Sequence, residues 1–467
     1  SGYLGFVETP IEIARFMVSL SSKIDKKSKV LEPGAGRGVF IRALLESDFE
    51  DIYAIEYSES LYTYLTNAGF SETIKIIKHD FLQWETDEKF DLIIGNPPYV
   101  HYNQLTLELK DSLRKILNSS ESNIYYAFIM KAIDLLKEGG ELIFIVPYAF
   151  LYNTHAKILR KHIIEKGSIE MIIDLDEARI FKGESPETII FKFVKNKKIE
   201  YVNYLKLNKR SKVKIYEIVE CASLAIKSMT DNELFSYKKI PHWTHFDRWG
   251  ITNNTNFLYN DENSFVRLDK IAKVGVGLIT GFDEAYLVQD INEIPENERN
   301  FLQPFVKSRD CVNDRIESFH WYIFIGDNIT EDVLMKEAPF IYNRLLQYKE
   351  RLEKRYINKQ NKQWFHWQAL RNYSFLIRNK NKPRIYVPTI TRRKPVFSLD
   401  ENGYLPSGDV LFIQPYNEKD VVRLHCYLNS KEFEEYYLSQ GVRLGGRFVF
   451  TQRFLSEVYV KVNHTIL

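Results

Sequence analysis

Cysteine is scarce. Cys221, Cys311 and Cys426 are the whole complement of a 467-residue chain, and they show no metal-ligand spacing. That argues against a disulfide scaffold or a thiolate-bound zinc, and three lone thiols fit buried positions in a reducing, cytoplasmic compartment. The ten histidines form no ligand pattern either, so no metal is expected. No apolar run approaches the ~20 residues that a membrane span needs. Ser1-Gly2-Tyr3 opens without a signal-peptide pattern. Repeats and low-complexity stretches are lacking too. Net charge is only +2, so a nucleic-acid partner must be sought in the distribution of charge rather than its total. What remains, 45% hydrophobic and 27% charged, is the composition of a soluble globular protein with room for two or three domains.

The most informative stretch is Ile94-Gly95-Asn96-Pro97-Pro98-Tyr99. Leu92, Ile93 and Ile94 run into it, which predicts a buried strand ending in a polar turn. Pro97 and Pro98 fix φ and remove two backbone donors, stiffening that turn. An amide side chain, two carbonyls and an aromatic ring are thus held at a strand end. Those groups suit the grip of a planar amino group and its ring. Read blandly, the stretch is a loop closed by two prolines, so its surroundings decide.

Three earlier segments share the design. Lys29 to Glu32 predicts a strand entering the turn Gly34-Ala35-Gly36-Arg37-Gly38, with a helix from Phe40 to Leu45. The spacing is not that of a dinucleotide fold, and Glu32 would repel a phosphate but suits an ammonium group. Ile52 to Glu56 is a second strand ending in an acid, twenty residues after Gly36, where a carboxylate can accept ribose hydroxyls. Ile74 to Ile77 leads to His79-Asp80-Phe81. Asp80 can accept from an exocyclic amine, and Phe81 can lie on a purine. Four strands therefore end in Glu32, Glu56, Asp80 and Asn96, and ligands of open α/β sheets bind at such ends. Ahead of them, Thr9-Pro10 predicts a helix capped by Thr9.

With these residues in place, residues 3 to about 193 resemble the S-adenosylmethionine-dependent DNA adenine-N6 methyltransferases, TaqI-type, in the gamma-class order. The resemblance implies a Rossmann-like α/β domain with a mixed sheet, and S-adenosylmethionine as cofactor. It implies that Val7, Thr9, Glu32, Gly34 and Gly36 hold the methionine part. Glu56 would take the ribose, and Tyr57, Asp80, Phe81, Pro98 and Phe128 the adenine. Asn96 and Pro97 would grip the target amino group, with Tyr99 and Phe181 stacking on the flipped base. Its partner would be double-stranded DNA, with the methyltransferase itself a monomer, and cleavage would belong to a cognate restriction endonuclease on a separate chain or to a segment outside this sequence. RNA-base or protein-glutamine methylation by the same Asn-Pro-Pro-Tyr chemistry, or a non-catalytic DNA-binding module, are the competing readings.

The remainder of the domain predicts a helix from Asn123 to Leu136 and strands at Glu141 to Pro147, Ile169 to Leu175 and Thr188 to Phe193. Residues 101 to 121 read as a mobile loop. A composition shift near Lys195 to Lys198 sets the boundary, giving a catalytic domain at 1–199 and an α+β target-recognition domain at 200–467. Short β-like runs follow at Val213 to Ile218, Ala285 to Val288, Trp321 to Ile325, Arg384 to Val387 and Val410 to Ile413. Residues 330 to 380 read as a charged helical arm. Two acid-free basic stretches, 378 to 394 and 441 to 453, lie among aromatics and suit phosphate contact. Arg309, Arg384, Arg392, Arg393, Lys394, Arg443 and Arg447 are the expected DNA-binding residues.

Overall fold

Helix α1 (Ile11–Ser19) buries Ile13, Ala14, Phe16, Met17 and Val18. Then come β1 (Lys29–Glu32), α2 (Val39–Glu46), β2 (Asp51–Glu56), α3 (Glu59–Asn67), β3 (Ile74–Lys78) and β4 (Phe90–Gly95). They are followed by α4 (Leu107–Leu117), α5 (Ile124–Leu135), β5 (Leu136–Pro147), α6 (Lys157–Lys166), β6 (Gly167–Asp174), β7 (Thr188–Lys195), β8 (Tyr201–Leu207), α7 (Ile215–Ser228) and β9 (Phe235–Pro241). This computed structural model describes residues 7–23, 25–70, 72–117, 122–176, 178, 180–181, 187–208, 213–252, 265–355, 362–392, 394–440 and 447–461. Among them no helix is long and apolar enough to cross a membrane.

The nine strands form one mixed sheet in the order β3-β2-β1-β4-β5-β7-β6-β8-β9. From β3 to β5 all neighbours are parallel, and β7 runs antiparallel between β5 and β6. Apolar clusters cover both faces, which is why the inner strands read as continuous Ile, Leu, Val and Phe rather than alternating. Strand order reverses where β1 meets β4. A crevice opens there at the carboxyl ends of both strands, and Glu32 and Asn96 flank it.

The chain divides into two units, Ser1–Phe257 with Leu438–Gly441, and Leu258–Tyr437 with Val442–Leu467. The boundary expected at residue 199 falls inside the first unit, because β8 and β9 extend the same sheet. Val213 to Ile218 is not a strand. Val213 precedes α7, whose Ile218, Cys221, Ala222 and Ala225 form a buried helical stripe. The expected loop after Val100 holds α4 instead, with Leu109, Leu113 and Leu117 buried at four-residue intervals. Cys221 and Cys311 are buried, but Cys426 is exposed.

The second unit is α+β. One four-stranded sheet orders Ala272–Val276, Val410–Pro415, Arg384–Pro388 and Ser398–Asp400. Another orders Leu287–Val288, His320–Ile323, Leu302–Val306 and Leu405–Pro406. Helices Glu331–Glu337, Pro339–Leu346 and Lys349–Glu353 bury Leu334, Ile341, Leu345 and Leu352 in this unit's own core. They are core-covering helices and not a free arm.

Candidate active site

The amide of Asn96 has a fixed polarity. Its Nδ2 donates to the Val7 carbonyl and to Thr9 Oγ1, both at 3.1 Å. A carbonyl only accepts, so the NH2 side must face Val7. Oδ1 then points away, buried and without a hydrogen-bond partner. The expected cap at Thr9 is corrected accordingly. Helix α1 has Pro10 at its N-cap without a side-chain cap bond, and the Thr9 hydroxyl serves Asn96 instead. Val7, Glu8, Thr9, Glu32, Gly34, Ala35, Arg37, Val39, Phe40 and Asn96 line one pocket.

Glu32 Oε2 is buried in the same way, without a hydrogen-bond partner. Burial pushes this carboxyl well above the usual range, and the neighbouring Glu56 adds to the rise. Glu56 is also buried and raised by burial, but its oxygens are engaged: Oε2 accepts from Gly36 N–H at 2.8 Å and Oε1 from Ser58 N–H at 2.7 Å. These bonds hold the glycine turn against the end of β2. Gly38 sits at φ +76°, and a Cβ there would meet Leu65 at 2.9 Å. At Gly34 a Cβ would meet nothing within 4 Å, so the backbone faces open space.

Asp80 Oδ1 accepts from Leu82 N–H at 3.0 Å and shapes the turn after β3. Phe81 packs on Phe128 with ring centroids 5.0 Å apart. Lys131, which sequence reasoning missed, lies 5.4 Å from the Phe81 ring and donates to the Leu82 carbonyl at 3.0 Å. Its signal is weak, a lone lysine in a helix whose one other charged residue is Asp134. Arg37 was also missed as a pocket residue, although it stands inside the glycine turn. Tyr57 and Pro98 are half-buried.

Tyr99 turns its hydroxyl into the sheet, donating to the Ile145 carbonyl at 2.8 Å, and its ring meets Tyr125 edge-on at 6.0 Å. Phe181 is buried, 4% exposed, in the apolar cluster against which Tyr99 packs. Pro97 is buried within the turn.

The expected DNA-binding residues separate. Arg384 is fully buried. It donates to Gln414 Oε1 at 2.8 Å and to the Tyr404, Leu376 and Asn379 carbonyls, so its guanidinium is consumed inside the fold. It is corrected to a structural arginine. Lys394 pairs with Glu434. Arg309 is exposed and lies over His320, Nη2 being 2.9 Å from Nδ1. Arg392 is exposed and Arg447 half-buried. Arg393 and Arg443 lie outside the described residues.

Comparisons with known proteins converge on one group. The family model described as Eco57I restriction-modification methylase matches residues 7–181. The type II methyltransferase M.HincII of Haemophilus influenzae is 30% identical over 473 residues, covering 97% of this chain and 88% of that protein. M.MjaIV of Methanocaldococcus jannaschii is 52% identical over 200 residues, which span 42% of this chain and 66% of that relative. Among solved structures, the type IIL restriction-modification enzyme MmeI, determined in complex with DNA, aligns with a TM-score of 0.58 at 12% identity. That alignment covers 94% of this chain and 63% of MmeI.

Proposed function

Given that the chain belongs to the type II methyltransferases of restriction–modification systems, we propose that it methylates N6 of an adenine flipped out of double-stranded DNA. S-adenosylmethionine is the cofactor of this family, and the pocket at the switch point fits it. The orphaned Glu32 carboxyl suits an ammonium group, Arg37 a carboxylate, and the open face of Gly34 admits ligand atoms close to the backbone. Glu56, Tyr57, Asp80, Phe81, Pro98 and Phe128 are the residues for its ribose and adenine. When bound, the cofactor supplies an electrophilic methyl group on a sulfonium.

One observation carries the reading: the free oxygen of Asn96 is aimed by Val7 and Thr9. The adenine amino nitrogen is a poor nucleophile because its lone pair is delocalised into the ring. One amino proton is held by Asn96 Oδ1 and the other by the Pro97 carbonyl. Both acceptors draw the nitrogen towards tetrahedral geometry and free its lone pair. They also stabilise the cationic nitrogen that results, which is preorganised electrostatic catalysis. No base is needed before transfer. Extrusion of the base costs a few kcal/mol. Tyr99 and Phe181 offset this by stacking, roughly 1–3 kcal/mol per base. The second unit recognises the target, with Arg309, Arg392 and Arg447 as its exposed or half-buried cations. The chain acts as a cytoplasmic monomer beside a separate endonuclease.

Single-molecule sequencing of DNA from cells expressing the chain tests this directly. One motif carrying N6-methyladenine is the expected result. N4-methylcytosine would transfer the same chemistry to another base. No methylated DNA base, from protein that still binds S-adenosylmethionine, would redirect the search to RNA or protein.

A further inference from the structure

Strands Ile390–Thr391 and Phe448–Val449 pair as an antiparallel ribbon, with Ile390 opposite Val449 and Thr391 opposite Phe448. The bond from Phe450 N–H to the Thr389 carbonyl, 2.8 Å, continues it at one end. There Phe450 is buried among Phe397 and Phe454, so the ribbon is rooted in the core of its unit. Arg392 directly follows one strand and Arg447 directly precedes the other, so both stand at the same end of the ribbon. Arg392 is exposed there and Arg447 half-buried, beside Ile390, which is 48% exposed.

These two arginines come from the two separate acid-free stretches. The other described cations of those stretches are mostly accounted for: Arg384 is buried, while Lys382, Lys394 and Arg453 each have a carboxylate partner. Among the described residues neither Arg392 nor Arg447 has an ion-pair partner. Like charges gathered at one end of a ribbon repel, and Arg447 is half-buried as well. Such a pair is stabilised by an anion placed between the two guanidinium groups. We propose that this ribbon is a phosphate clamp on the DNA duplex, gripping the backbone and reading no base. The inference rests on the DNA-methyltransferase reading above.

The test measures binding of fluorescent duplexes to the full chain across about 50–200 mM salt, where phosphate contacts are most visible. One duplex carries the motif found by sequencing and one lacks it. Arg392→Ala and Arg447→Ala should each weaken both duplexes alike, by about tenfold, and lower the salt slope by about one. The double variant should lose about two, and Arg→Lys at both positions should restore the slope because the charge is kept. S-adenosylmethionine affinity and thermal unfolding should match wild type, which excludes misfolding as the cause. A double variant with the wild-type slope overturns the clamp. Loss confined to the motif-bearing duplex also overturns it, since that is base reading. If wild type methylates DNA while the double variant keeps the slope, the clamp alone fails. If wild type neither binds nor methylates duplex DNA, the underlying reading fails with it.

Discussion

Two kinds of strand end meet at the crevice of the first unit. Glu56 and Tyr99 are closed, because their oxygens are engaged by Gly36, Ser58 and Ile145. Glu32 and Asn96 are open: each has a buried oxygen without a partner. A buried acceptor left unmade costs stability, so a fold retaining two of them side by side at a switch point is shaped for something it binds. The closed pair's oxygens hold turns and strands in place, whereas the open pair's oxygens are left over by the fold. The difference separates oxygens already committed to the fold from oxygens it leaves free, at strand ends and in the turn that follows β4.

The largest expected effect is at Asn96. Asn96→Ala should reduce methyl transfer by about 10²–10³-fold, the scale of losing one preorganised hydrogen-bonding group. S-adenosylmethionine affinity should stay within about twofold, because on this reading the amide oxygen faces the target base and not the cofactor. Turnover and calorimetric cofactor binding, measured on the same variant, check it. Equal loss of both would place Asn96 with the scaffold.

The two glutamates give a paired contrast. Glu32→Gln removes a buried acid from contact with Glu56, so the free protein should unfold no more easily. Cofactor affinity should fall about ten- to hundredfold, the worth of a hydrogen bond to a charged group. Glu56→Gln should cost stability in addition to ribose binding. An amide NH2 must then face the N–H of Gly36 or Ser58, donor against donor, at a cost of about 1–3 kcal/mol of stability. pH sharpens the contrast. Burial raises the Glu32 carboxyl in the free protein, so between the ordinary carboxylate range and its raised position the folded chain holds a proton that the unfolded chain has lost. Stability therefore falls as pH rises through that window. An ammonium beside Glu32 favours the ionised form, so cofactor binding releases a proton and tightens over the same window. Glu8 and Arg37 line the pocket and Glu56 neighbours Glu32, so the decisive observation is the loss of the steep part of the profile in Glu32→Gln. An unchanged profile would break the assignment.

Much of the site is legible in the sequence. The four strand ends follow from apolar runs of strand length, each broken by a polar residue, and the parallel pairing of the first three follows from the helices between them. Helix α4 is legible too, since Leu105, Leu109, Leu113 and Leu117 keep four-residue spacing, although the polar residues between them read as a loop. Sequence does not show that Thr9 serves Asn96, because 87 residues separate them. Nor does it show that Arg384 is buried. A basic residue opening an apolar strand looks the same whether its guanidinium meets phosphate or the carbonyls of Tyr404, Leu376 and Asn379. The sheet continues past residue 199 because β8 pairs with β6, a contact between segments that the lysine-rich link separates. Long-range partners decide these last three cases, and local pattern carries no record of them.

The smallest expected effect tests the closed end at Tyr99. The pairing of β4 with β5 ends at Gly95 and Phe144, and Ile145 follows as the next residue of β5. Its carbonyl is met by the Tyr99 hydroxyl. Tyr99→Phe removes that bond and keeps the ring. Stability should fall by about 1 kcal/mol in denaturant unfolding, and turnover should remain within about twofold. Tyr99→Ala removes the ring too, and should weaken extrusion of the base while leaving some activity. A fluorescent base analogue at the target position reports that step. If Tyr99→Phe lost turnover on the scale of Asn96→Ala, the hydroxyl would belong to the chemistry, and the division between open and closed ends would fail at its nearest neighbour.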